Sequence, residues 1–293
     1  MKKSHDMVRS KTAPVIKGLS ELQNIRGILC FGSYAVGTND DRSDIDLYAF
    51  CQPHVPPSEV RKPCIGQIEG ITGVQIDHAE FGWDVQWCAK GDRFRLNGIL
   101  IDITYNTLQW VTTVVQKVTE EGLTSVPELR FRAHTMLGLL EESLILYDPD
   151  SVLAELQSHL RPYPLKLKQS LLSESLPVLE GSLQDLEDYL GRDIGNTAFH
   201  FHLERILDAL GTMLFALNER YDPATKRVEE AYRRLAILPD RFAERYNRIL
   251  ETPLTPAGRR QVVAALQGLV HDVKDLLKQQ AEPEGSGDGS TRA

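Results

Sequence analysis

The sequence predicts an α/β (α+β) domain built on a small mixed sheet, followed by an all-α helical domain. Three observations carry this. Before about residue 120, short runs rich in Ile, Val, Phe and Tyr alternate with Gly, Asn, Asp and Pro clusters, the pattern of strands and turns. After about residue 125, apolar residues recur at helical spacing almost to the end. The length, 293 residues, is also where a single core usually stops growing. The expected division is 1–120 and 121–280, with a Gly-, Ser- and Glu-rich tail over 281–293 that has nothing large and apolar to bury and is expected to be disordered.

The elements follow in order. Pro14–Leu22 is read as a short first helix, with Val15, Ile16, Leu19 and Leu22 on one stripe. Strands are expected at Ile25–Phe31, Ile45–Phe50, Gly73–Phe81, Asp84–Ala89 and Gly98–Tyr105, and a helix over Thr107–Glu120 that stops at Gly122. Pro127 is expected to open a helix reaching about Leu146, and Asp148-Pro149-Asp150 makes a turn before Val152–Leu160. Further amphipathic stretches cover Leu165–Leu190, Asn196–Asn218, Pro223–Ala236, Asp240–Leu250 and Thr255–Gln279.

Charge and cysteine use narrow the functional classes. With 33 basic and 41 acidic residues the net charge is −8, which argues against a broad basic face for nucleic acid, so no extended nucleic-acid binding is expected. A nucleotide substrate stays open, because a bound metal can invert the local field. Cys30, Cys51, Cys64 and Cys88 form no CxxC pair and no zinc spacing, so they read as reduced thiols of a cytoplasmic protein. No secretory leader and no apolar run of membrane-spanning length is seen.

The chemistry concentrates in Ile28–Ala49. A β-run ends in Gly32-Ser33, a polar connection follows, and Ser43-Asp44-Ile45-Asp46-Leu47 starts the next β-run. Alternate strand residues share a face, so Asp44 and Asp46 point one way and Ile45 and Leu47 the other. Two neighbouring carboxylates repel, and a divalent cation resolves the conflict. Mg²⁺ prefers one or two carboxylates together with phosphate oxygens and water. Gly32 permits close approach of the backbone to a phosphate, and Ser33 can donate to it. Asp102 is the one charge in the apolar run Ile99–Tyr105. Burying it is costly unless it binds a metal or pairs with a cation. If its strand lies beside Ile45–Phe50, the three carboxylates can hold two Mg²⁺ ions for in-line displacement at phosphorus.

Gly32-Ser33, Asp44-x-Asp46 and the later Asp102 together resemble the nucleotidyltransferase fold of the DNA polymerase β superfamily, over roughly Ile25–Tyr105. A small catalytic domain followed by a helical one is most similar to the bacterial antibiotic nucleotidyltransferases, such as aminoglycoside adenylyltransferases. The resemblance implies Mg²⁺-dependent transfer of a nucleoside monophosphate, AMP from ATP, to an acceptor hydroxyl with release of pyrophosphate. It makes Asp44, Asp46 and Asp102 metal ligands and catalytic residues, with Asp102 a ligand or the general base. It makes Gly32 and Ser33 the phosphate-binding turn. The helical domain would close the active cleft and select a small-molecule acceptor, and Lys226 would touch the triphosphate. An acidic cleft suits a cationic, aminoglycoside-like acceptor, which would make the enzyme an antibiotic-resistance factor.

Two rivals share these residues: an enzyme that nucleotidylates a protein side chain, as in antitoxin-like systems, and a nucleotide-binding regulatory module without turnover. Other motifs carry less. The Gly32–Gly37 spacing lacks the lysine of a P-loop. His200 and His202 lie two apart in a helical stretch and face different sides. Trp83, Trp87 and Trp110 read as core residues, and Glu141 and Glu142 as surface glutamates.

Overall fold

A computed structural model describes residues 2–77, 89–127, 132–192, 195–223 and 228–281. The chain divides into two compact units, Met1–Ser170 and Leu171–Ala293.

The first unit is built on a six-stranded mixed sheet. Its strands are β1 (Ile25–Phe31), β2 (Ile45–Cys51), β3 (Ile71–Ile76), β4 (Lys90–Leu96), β5 (Ile99–Thr107) and β6 (Leu144–Tyr147), in spatial order β3-β4-β5-β2-β1-β6. Only β2 and β5 pair in parallel; the other neighbours are antiparallel. Its helices are α1 (Lys2–Ser20), α2 (Gly32–Val36), α3 (Ser58–Gly66), α4 (Leu108–Thr119), α5 (Ala133–Glu142) and α6 (Val152–Ser158).

One face of the sheet is sealed by a single core. Val8, Val15 and Leu19 of α1 and Ile65 of α3 cluster with Ile28 and Cys30, Ile45, Leu47 and Ala49, Phe94, and Ile101, Ile103 and Tyr105. The period-two alternation of these strand residues puts Asp46, Tyr48 and Phe50 of β2 and Asp102, Thr104 and Asn106 of β5 on the opposite face. Thr107 caps α4 by accepting a hydrogen bond from the Trp110 backbone N–H at 3.2 Å.

Several sequence expectations change here. The first helix begins at Lys2, with Pro14 inside it rather than at its start. Val8, fully buried in the core, rewards the extra turns despite the N–H that proline lacks. The helix expected to reach Leu146 ends at Glu142, and Leu144–Tyr147 is an edge strand pairing with β1 through Leu29↔Ile145 and Cys30↔Leu144. A four-residue apolar run has no period of its own, and Leu140 and Leu144 imitate helical spacing. The link between Gly32 and Asp44 contains a short helix, α2. The expected strand Asp84–Ala89 and the end of Gly73–Phe81 lie almost wholly outside the described residues, as does the tail beyond Ala281.

The second unit is helical. It contains most of α7 (Leu165–Tyr189), then α8 (Asn196–Leu217), α9 (Val228–Tyr232), α10 (Phe242–Glu251) and α11 (Pro256–Ala281). Phe199, Leu203, Ile206, Leu210 and Met213 of α8, at helical spacing, share a core with Val262, Leu266, Leu269 and Val273 of α11. Tyr232 lies 5.4 Å from Phe215 and 5.0 Å from Phe242, ring to ring, and binds α9 into that core. Asn218 closes α8: its amide donates to Leu214 and Ile237 carbonyls and its Oδ1 accepts from the Ala236 and Ile237 N–H groups. No helix among the described residues is long and apolar enough to cross a membrane.

Candidate active site

The site lies on the face of the sheet away from α1. The parallel register of β2 and β5 sets Asp46 directly beside Asp102. Asp44 sits one residue before β2, in a turn that Asp40 organises. The Asp40 carboxylate accepts the Arg42 N–H at 2.9 Å and the Ser43 hydroxyl at 3.0 Å, and the Ser43 Oγ accepts the Asp40 N–H. These bonds, the Arg42 N–H first, hold the Asp40 carboxyl below its usual range. The turn delivers Asp44 to its neighbours: oxygens of Asp44, Asp46 and Asp102 all lie within 4.8 Å of one another. Asp44 and Asp46 are half-buried and Asp102 is buried. The condition set by the sequence, that the strand of Asp102 lie beside β2, holds, and the three carboxylates come together.

Gly32 is fitted to this cluster. It has φ +70°, in the left-handed region that favours glycine, and a methyl on its Cα would run into Asp46 Oδ2. The chain therefore has a bare backbone against a metal-type carboxylate. Ser33 follows in the first turn of α2, whose end is closed by Gly37 in the left-handed region, its N–H donating to the Ser33 carbonyl. Behind the carboxylates the face is floored by aromatic rings. Tyr48 stacks on Phe50 with centroids 4.2 Å apart and lies 6.1 Å from Phe31, all three buried. A packed floor of this kind fixes the backbone that carries Asp46. Cys30 lies on the core side; burial, and secondarily the Asp46 charge, push its thiol up to about 12.

The residue that sequence reasoning missed is Arg93. It sits on β4 directly opposite Asp102, and its guanidinium grips both carboxylate oxygens, Nε to Oδ1 at 2.6 Å and Nη2 to Oδ2 at 2.8 Å. The burial cost of Asp102 is thus met in this structure by a cation from the next strand. The available signal was the alternation in Lys90–Leu96, with Asp92, Phe94 and Leu96 on one face and Arg93 and Arg95 on the other. It was masked by a run with four charges in seven residues. Lys226, the expected triphosphate contact, lies outside the described residues.

The donor set fits a divalent cation of the Mg²⁺ kind. Three carboxylates supply hard oxygen ligands, and the bare Gly32 backbone leaves room beside them. The model of the nucleotidyltransferase domain family matches residues 14–87, which include Gly32, Ser33, Asp44 and Asp46. No curated protein sequence matches the chain. Among solved structures, the chain is similar to a nucleotidyltransferase-like protein from Exiguobacterium sibiricum. The two are 14% identical, with a TM-score of 0.47, over 95% of this chain and 81% of the other. The family match, over residues 14–87, supports a nucleotidyltransferase domain there, whose general chemistry is nucleotidyl transfer.

Proposed function

We propose that the protein transfers a nucleoside monophosphate, AMP from ATP, to a hydroxyl of a small molecule in a Mg²⁺-dependent reaction that releases pyrophosphate. The observation that carries this reading is the convergence of Asp44, Asp46 and Asp102 within 4.8 Å, with the bare backbone of Gly32 packed against Asp46. Asp44, Asp46 and Asp102 would hold the metal. When bound, Mg²⁺ supplies positive charge to the triphosphate and lowers the cost of forming the attacking alkoxide.

The chain's own residues do the rest. Gly32 and Ser33 offer a backbone edge and a hydroxyl to the phosphates. The Phe31, Tyr48 and Phe50 floor keeps Asp46 in place. The acceptor oxygen bonds to the α-phosphorus as the bond to pyrophosphate breaks, in line. The acceptor's proton leaves toward the carboxylates, Asp102 among them. The net acidity of the chain, −8, supports a cationic acceptor of the aminoglycoside kind.

The test is pyrophosphate release by the full chain with Mg²⁺, each NTP in turn and a panel of hydroxyl acceptors that includes aminoglycosides. ATP with a cationic polyol should give the highest turnover. Transfer of label to protein alone would replace the small-molecule acceptor by a protein one. Nucleotide binding with no turnover under any combination would overturn the proposal in favour of a regulatory module.

A further inference from the structure

A buried Asp102 needs either a metal or a cationic partner, and the structure shows the partner. We propose that Arg93 is the resident counterion of the catalytic carboxylates, holding Asp102 while no nucleotide is bound and yielding it when a divalent cation enters. This rests on the nucleotidyl-transfer reading of the site and adds a positioning residue to it.

Three features of the geometry point there. First, Arg93 and Asp102 are directly opposite on neighbouring antiparallel strands, so the pair is set by the sheet register rather than by a chance rotamer. Second, the guanidinium takes both Asp102 oxygens, at 2.6 and 2.8 Å, and an oxygen of the same carboxylate lies within 4.8 Å of Asp44 and Asp46 oxygens. One carboxylate is offered to two cations, which repel each other when both are close. Third, the pair is asymmetric in mobility. The Asp102 side chain is 7% exposed and fixed in the sheet, whereas that of Arg93 is 31% exposed and has solvent to move into.

The consequence is coupling. A divalent cation alone must displace Arg93 against its bidentate pair. A cation arriving with a triphosphate brings extra oxygen ligands and anionic charge that compensate for the exchange. Metal loading of the enzyme is thereby tied to nucleotide.

The experiment measures Mn²⁺ binding to the full chain by electron paramagnetic resonance, with and without a non-hydrolysable ATP analogue. Wild type should bind Mn²⁺ far more tightly with the analogue than without it. Without the analogue, Arg93→Gln should bind Mn²⁺ about tenfold more tightly than wild type, the scale of one charge-assisted hydrogen-bonded pair. Arg93→Lys, which keeps the charge, should stay near wild type. If Arg93→Gln does not fold, judged by its circular dichroism melt, Arg93→Met keeps the apolar stem and carries the same expectation.

Equal or weaker analogue-free binding in the neutral variants, or equal binding by wild type with and without analogue, would overturn the counterion role alone. No Mn²⁺ bound to wild type even with the analogue would instead overturn the nucleotidyl-transfer reading.

Discussion

Asp92 and Arg93 are neighbours on β4, yet they belong to arginine–aspartate pairs of opposite character. Asp92 faces the sealed side of the sheet and pairs with Arg61 of α3 at 2.5 Å, both side chains 0% exposed. Arg61 also donates to the Pro56 carbonyl, reaches Asp77 and lies 4.8 Å from the centre of the Tyr105 ring. Burial pushes the Asp92 carboxyl up against the pull of Arg61. Both side chains are enclosed by protein, so neither partner has water to turn to. Arg93 faces the open side and holds a carboxylate that two others also approach. The same pair of residue types is a fixed strut on one face and an exchangeable counterion on the other. What separates them is access to solvent, not the strength of the hydrogen bonds.

The largest expected effect lies on the open face. Asp46→Asn should lower metal-dependent pyrophosphate release by about a thousandfold, roughly 4 kcal/mol of transition-state stabilisation. Its thermal midpoint should stay close to wild type, because a site carboxylate is not part of the core; retention of wild-type rates would refute the carboxylate mechanism. On the sealed face, Asp92→Ala should cost about 3 kcal/mol of stability, since it strands the Arg61 charge in a dry environment. A shift of the urea midpoint measures it. An unchanged midpoint would show that Asp77 and the Pro56 carbonyl suffice for Arg61, and the contrast between the two faces would weaken.

Gly32→Ala probes the contact between backbone and carboxylate. The left-handed φ should cost about 1–2 kcal/mol, read as a lower thermal midpoint. The added methyl should also displace Asp46 and lower turnover of the protein that remains folded. The smallest effect concerns reactivity. Cys51, like Cys30, is pushed up to about 12, chiefly by burial. Neither thiol should form thiolate near pH 8, so iodoacetamide should leave both unmodified in the native protein, as read by peptide mass mapping. Cys64, half-buried and raised less, should react slowly. Rapid alkylation of Cys30 would mean that the sealed face opens.

Much of the carboxylate cluster is legible in the sequence alone. Asp44-x-Asp46 after Gly32-Ser33 is a local pattern, and strand alternation alone assigns its faces. Asp102 stood out because a charge inside Ile99–Tyr105 demands a partner. The fold was legible where periodicity was long and clean, as in α7, α8 and α11, and in β1, whose bounds match the expectation. It failed where runs were short or charged. Leu144–Tyr147 is too brief to show a period, and β4 hides its apolar residues among Lys90, Asp92, Arg93 and Arg95.

Local chemistry in the chain settled which residue types could carry the reaction: a turn glycine, two alternating carboxylates and a third that could not be buried alone. The sheet settled which of them meet. Hydrogen-bonded register between β2 and β5 places Asp46 beside Asp102 across 56 positions of sequence, and register between β5 and β4 supplies Arg93. Neither pairing has a local signature, because register is a property of two strands at once. The partner of Asp102 therefore belongs to the assembled sheet, where Arg93 and the carboxylates of Asp44 and Asp46 are all brought to it.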